Sequence, residues 1–195
     1  MWSSMVKPTQ RLNLTGKGVY AGMLGALGNA LAVLSMEVGN LHPQIALDLS
    51  HLATIVAAYA LGPAWGALTG ALVAAFPFVR FSLMGYLPIV VGLLIFPGKA
   101  MTGFFVGALG KKLRPALAVP LGYVPESAFT YATLELTRRI LLPPEQAAFL
   151  SRGVILGILL KAWVEILVLA GIAEILVVKV LRTQALLRES NAPRA

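Results

Sequence analysis

The chain contains no cysteine, so a disulfide, a thiolate metal site and a cysteine nucleophile are all closed to it. Histidines number 2, acidic residues 8, and charged residues of both signs make up 12% of the 195 positions, about half the share in an average soluble domain. Catalytic signatures are missing too: there is no His-Glu-x-x-His pair, no glycine-rich lysine loop for nucleotide phosphates and no nucleophile elbow. A chain without a nucleotide motif cannot itself spend ATP. It is expected not to be an enzyme, the remaining enzymatic alternative being an intramembrane hydrolase or transferase built on Glu126 or Glu165 with a histidine.

What is abundant is apolar. At 58% hydrophobic residues and a mean hydropathy of +0.81, the sequence predicts an all-α integral membrane protein. The net charge of +8 would suggest nucleic acid in a soluble protein. Here the bases flank apolar stretches, where they report topology, so no nucleic-acid partner is expected and no cofactor or metal either.

The organising stretch runs through residues 44–70. Residues 49–79 carry no formal charge, too long a run for the roughly 20 residues that cross a bilayer and enough for two helices folded back on each other. Gly62-Pro63 supplies the break, since glycine ends a helix in a left-handed conformation and proline opens the next. Residues 18–36 form a first uncharged span, in which Gly22, Ala26 and Ala30, and likewise Ala21 and Gly25, recur every four residues. Such small-residue stripes let another helix approach closely, inside the bundle or from a partner. Residues 81–110, interrupted by Pro97-Gly98-Lys99, are predicted to make one span whose first part is broken or lies across the mouth, regular from about Gly98. A fifth span starts near Pro115, with kinks expected at Pro120 and Pro125. A surface segment reaches Arg152, and a last span covers residues 153–180.

This gives one domain, 1–195: a cytoplasmic N-terminal segment 1–17, a bundle of about six transmembrane helices over 18–182, and a polar tail 183–195. One side of the membrane collects Lys7, Arg11 and Lys17, Lys111, Lys112 and Arg114, and the bases from Lys179 onward. The other side nets to zero. The positive-inside rule then makes both termini cytoplasmic.

Ionisable groups inside a bilayer are costly and mark function or pairing; Lys99, Glu126, Lys161, Glu165 and Glu174 qualify. Lys161 and Glu165 stand four apart and can neutralise each other, or Lys161 can serve a ligand. Tyr86, Tyr123, Tyr131 and Trp163 can stack on a flat heterocycle or anchor at the interface. His42, His51 and Asp48 make a weak metal pattern, and helix capping by Asp48 or Ser50 explains their surroundings as well.

Asp48-Leu49-Ser50 followed by Gly62-Pro63-Ala64-Trp65-Gly66 resembles the second and third helices of the S components of energy-coupling factor transporters, the membrane subunits that capture vitamins. The resemblance implies a multi-pass protein of a prokaryotic plasma membrane with an outward-facing pocket for a vitamin-like molecule. It also implies two ATPase subunits and one transmembrane coupling subunit as partners, the latter docking on Gly22, Ala26 and Ala30. Lys161 is then the leading substrate-binding residue, as riboflavin-type members have a lysine on the last helix. Glu126, Tyr131, Tyr123, Tyr86, Arg80, Asp48, His51 and Trp163 complete the expected site. No signature for a particular vitamin is present. The alternative is a small secondary transporter or channel working without ATPases.

Overall fold

The computed structural model describes residues 12–41, 48–85 and 87–190, and among them every regular element is helical. α1 (Leu14–Leu41) leads to α2 (Ser50–Leu61) and α3 (Pro63–Val73), which continues through the short α4 (Ala75–Phe78) into a π-helical turn, Val79–Leu83. α5 (Ile89–Leu93) and α6 (Ile95–Leu109) follow, then α7 (Pro115–Leu136) with a second π-helical turn, Thr137–Leu141, then α8 (Pro144–Phe149) and α9 (Arg152–Ser190). Four stretches are long and apolar enough to cross a membrane: Leu14–Val38, Pro63–Leu83, Ile89–Leu109 and Arg152–Lys179. The remaining two limbs differ from these. α2 is apolar but only 12 residues long, and α7, at 22 residues, carries Glu126 and Glu135 and runs unbroken through Pro120 and Pro125.

The hairpin between α2 and α3 forms where the sequence places it. Gly62 sits at φ +97°, a conformation that only glycine adopts without strain, and Pro63 opens α3 where no intrahelical donor is needed. The regular helix begins earlier than Gly98: the residues just after Leu83 are irregular, with Gly85 at φ +89°, and α5 opens at Ile89. Pro97 falls in the first turn of α6, where its missing N–H costs nothing, so α5 and α6 are separated only by Leu94, which keeps helical dihedrals. At the other end of the chain α9 continues to Ser190, past residue 182, because the sequence there is rich in good helix formers.

The closest helix pairing is a glycine seam. Gly66 and Gly70 of α3 face Gly103 and Gly107 of α6, and a methyl group on any of them would collide with opposing backbone: Gly103 O, Lys99 O, Gly66 O and Pro63 Cα respectively. Two Gly-x-x-x-Gly stripes therefore bring the backbones into contact, and Lys99 is carried to the face of α3 with them. α1 packs on the same hairpin through Ala21, Gly25, Gly28 and Ala32. Its Gly25 abuts Leu72 and its Gly28 abuts Val73 and Ala53.

Asn29 explains the break between α3 and α4. Its Nδ2 donates to Leu72 O at 2.8 Å, and its Oδ1 accepts from Phe76 N at 2.7 Å. Those two backbone groups would bond each other in an unbroken helix, so the side-chain amide is inserted into the ladder, one of the few causes of a sharp helix break. Pro77 removes the next donor.

The main core joins α2, α6, α7 and α9 through Ile55, Val106, Val119, Ile166, Leu169 and Ala173. Below it, Glu174 of α9 accepts from Arg114 Nε at 2.7 Å and from Ala116 N at 3.1 Å, so a carboxylate caps the start of α7. A smaller cluster, Val91, Leu134, Leu150 and Ile155, closes the opposite end.

Candidate functional site

Between the two clusters the helices enclose a cavity of about 510 Å³, within the range that holds small-molecule ligands. Most of its wall is apolar, including Phe81, Val91, Leu94, Phe129, Leu134 and Ile158, and its polar groups converge from four elements: Asp48 and His51 ahead of and within α2, Lys99 of α6, Glu126 of α7 and Glu165 of α9. Gly98 creates part of the room, since a methyl group there would project onto Phe129 and Glu126.

Lys99 is the centre of the polar cluster. It is 5% exposed, and its ammonium meets Asp48 Oδ2 at 3.3 Å, Ser50 Oγ at 3.1 Å and His51 Nε2 at 3.0 Å. Three N–H donors thus find three acceptors. Asp48 also accepts from Ser50 N at 2.9 Å, and Leu49 N donates to Ser35 Oγ of α1 at 3.1 Å, which pins the start of α2. Burial alone would raise the Asp48 carboxyl. The Lys99 ammonium and the Ser50 donors outweigh it and hold the group well below the usual carboxylate range.

On the other side of His51 lies Glu126. Thr102 Oγ1 donates to Glu126 Oε2 at 2.5 Å, whereas Oε1 stands 3.8 Å from His51 Nε2, beyond hydrogen-bond reach. Nε2 already accepts from Lys99, so it has no hydrogen to offer Glu126. Tyr123 stands edge-on to both His51 and Trp163, with ring centroids 6.1 Å and 5.2 Å away, and Trp163 Nε1 donates to Ser127 Oγ at 3.0 Å.

The residues expected from sequence divide into groups. Asp48, His51, Tyr123 and Glu126 meet at the cavity. Trp163 supports Tyr123 from behind, outside the lining. Lys161 is not brought to the cavity: its side chain is 57% exposed and its ammonium lies 3.7 Å from Glu165. Tyr131 is exposed, and Arg80 lies in the first π-helical turn with Nη1 3.7 Å from Met84 Sδ; neither lines the cavity. Tyr86 and His42 fall outside the described residues, among which no group of three or more His, Asp or Glu side chains could hold a metal ion.

Lys99 and Glu165 are the functional candidates absent from the expected binding set, although both stood out as charges within apolar runs. Phe129, Thr130 and Thr133, which line the cavity from α7, carried no signal of their own. Just beyond them Glu135 accepts from Arg138, Arg139 and Arg152, at 2.7, 2.6 and 3.3 Å from Oε1, and ties the end of α7 to the start of α9.

On α1 the two small-residue stripes have different fates. Ala21 and Gly25 are buried against the hairpin, while Gly22, Ala26 and Ala30 are exposed on the opposite face, with nothing within 4 Å of where a Gly22 methyl group would stand.

No protein-family model matches the chain, and searches of curated proteins and of solved structures likewise return no match.

Proposed function

We propose that the chain is the substrate-capture subunit of an energy-coupling factor type importer, holding a small vitamin or vitamin-like molecule in a cavity that faces the outside of a prokaryotic plasma membrane. The observation that carries this reading is the cavity itself: about 510 Å³, walled by apolar side chains, with charged groups from four elements converging on it. Six limbs cross the bilayer in this reading. The short α2 and the more polar α7 are shielded by neighbours, which relieves them of meeting lipid all round. In this reading both termini are cytoplasmic, the side to which the positive-inside rule assigns Lys17, Lys111, Lys112, Arg114 and Lys179.

The exposed face of Gly22, Ala26 and Ala30 suits a coupling subunit that approaches closely, and partner ATPases supply the energy for which this chain has no motif. A stand-alone secondary transporter is the second reading, and one observation favours it. Asp48, Lys99, His51 and Glu126 succeed one another within 4 Å, the kind of buried titratable chain that relays protons in membrane transporters. Reconstitution separates the two. Ligand binding by the chain alone, with uptake only after coupling and ATPase subunits are added, supports capture; uptake by the chain alone, driven by a pH gradient, supports the alternative.

A further inference from the structure

We infer that the molecule held in the cavity is a monocation: an apolar or aromatic body bearing one protonated or quaternary nitrogen, seated against Glu126. This rests on the capture reading above and adds the charge class of the ligand. The cavity lining contains three carboxylates, Asp48, Glu126 and Glu165, against one ammonium, Lys99. Lys99 is committed to Asp48, and Glu165 has Lys161 at 3.7 Å. Glu126 is left over. Its Oε2 is occupied by Thr102, and its Oε1 receives no hydrogen bond among the described residues, His51 Nε2 standing 3.8 Å away.

His51 cannot supply the missing charge, because protonating Nε2 would set a donor against the Lys99 ammonium 3.0 Å away. The cavity therefore presents one uncompensated carboxylate, 7% exposed, in a setting where a buried charge needs a partner. Aromatic walls point the same way: Phe81, Tyr123 and Phe129 line the cavity, and ring faces attract cations. The guanidinium groups of Arg138, Arg139 and Arg152 lie outside the lining and are spent on Glu135.

The test uses three probes that share one ring system, 2-(2-naphthyl)ethylammonium, 2-(2-naphthyl)ethanol and 2-naphthylacetate. They are titrated calorimetrically into the purified full chain in nanodiscs, with empty nanodiscs subtracted. The ammonium is expected to bind at least tenfold more tightly than the alcohol, and the carboxylate more weakly than either. Glu126→Gln, which keeps an acceptor for Thr102, abolishes the preference for the ammonium, and Glu126→Asp, which keeps the charge, retains it. Equal binding of ammonium and alcohol, tighter binding of the carboxylate, or a preference that survives Glu126→Gln would overturn the monocation assignment while leaving capture intact. Binding of none of the three at millimolar concentration would overturn both.

Discussion

Lys99 Nζ lies 3.0 Å from His51 Nε2, and this contact decides which ring nitrogen carries the proton. An ammonium has donors only, so Nε2 accepts and the hydrogen resides on Nδ1, which is buried without a partner among the described residues. In protein labelled with ¹⁵N-histidine, His51 is expected to give the spectrum of the Nδ1–H tautomer. Lys99→Met frees Nε2 to turn its hydrogen toward Glu126, so the Nε2–H tautomer should take over. An unchanged spectrum in the variant would mean that Lys99 does not set the tautomer.

The Lys99–Asp48 pair makes a second prediction. Removing one member of a buried pair costs about 3–5 kcal/mol. Asp48 is 35% exposed at its side chain, so Lys99→Met should fall at or below the low end of that range. The double variant Lys99→Met, Asp48→Asn should recover part of the loss, read as a coupling in thermal unfolding. The pH dependence follows from the depressed Asp48 carboxyl. A carboxyl held below its unfolded value contributes stability that is fully present above about pH 4 and is lost as pH falls from there through the folded value. Asp48→Asn should flatten the acid limb.

How much of this was legible depended on whether a residue's role was local. Gly62-Pro63 could be read because a positive φ and a first-turn proline are demands of the backbone at that spot. Asp48, His51 and Glu126 stood out as polar groups in apolar surroundings. Lys99 was equally visible as a charge in a long apolar run, but its partners are Asp48, Ser50 and His51, some fifty positions earlier, and only the α3–α6 seam brings them together. Lys161 carried the same signal on a different face of its helix. Charge within a span says that a partner is needed; it does not say whether the side chain points to a cavity or away from one.

Asn29 gives a third prediction. Its amide satisfies Leu72 O and Phe76 N at once, and a backbone group left unmet away from water costs about 1–3 kcal/mol. Asn29→Leu should lower stability by roughly that much or more, and Asn29→Asp, which keeps the acceptor and loses the donor, should fall between it and wild type. Thermal unfolding ranks the three. A fully stable Asn29→Leu would show that α3 and α4 close their own hydrogen bond.

The α3–α6 glycine seam and the exposed α1 stripe of Gly22, Ala26 and Ala30 should respond in opposite ways. Gly103→Ala pushes a methyl group into Gly66 O, where neither backbone can yield, and should destabilise the bundle by about 1–3 kcal/mol. Gly22→Leu meets open space and should leave the isolated chain as stable as before. If α1 is a docking face, Gly22→Leu should nevertheless reduce recovery of the coupling subunit in pull-downs; undiminished recovery would remove the stripe from the interface.

Lys161 supplies the last prediction, because the reading of it as ligand donor and its observed position lead to opposite results. A lysine that binds the ligand should weaken binding when replaced by Met. In the structure Lys161 stands outside the cavity and offsets Glu165, which lines it. Lys161→Met therefore removes a positive charge from behind the wall and leaves a second carboxylate facing the cavity. The fold should tolerate this, since the lysine is 57% exposed and its ammonium, 3.7 Å from Glu165, stands beyond hydrogen-bond reach. Affinity for 2-(2-naphthyl)ethylammonium should rise, by about threefold for a charge removed at a screened distance, and affinity for 2-naphthylacetate should fall. Loss of affinity for the ammonium probe in a stable Lys161→Met variant would return Lys161 to the binding site and require the cavity to be redrawn around α9.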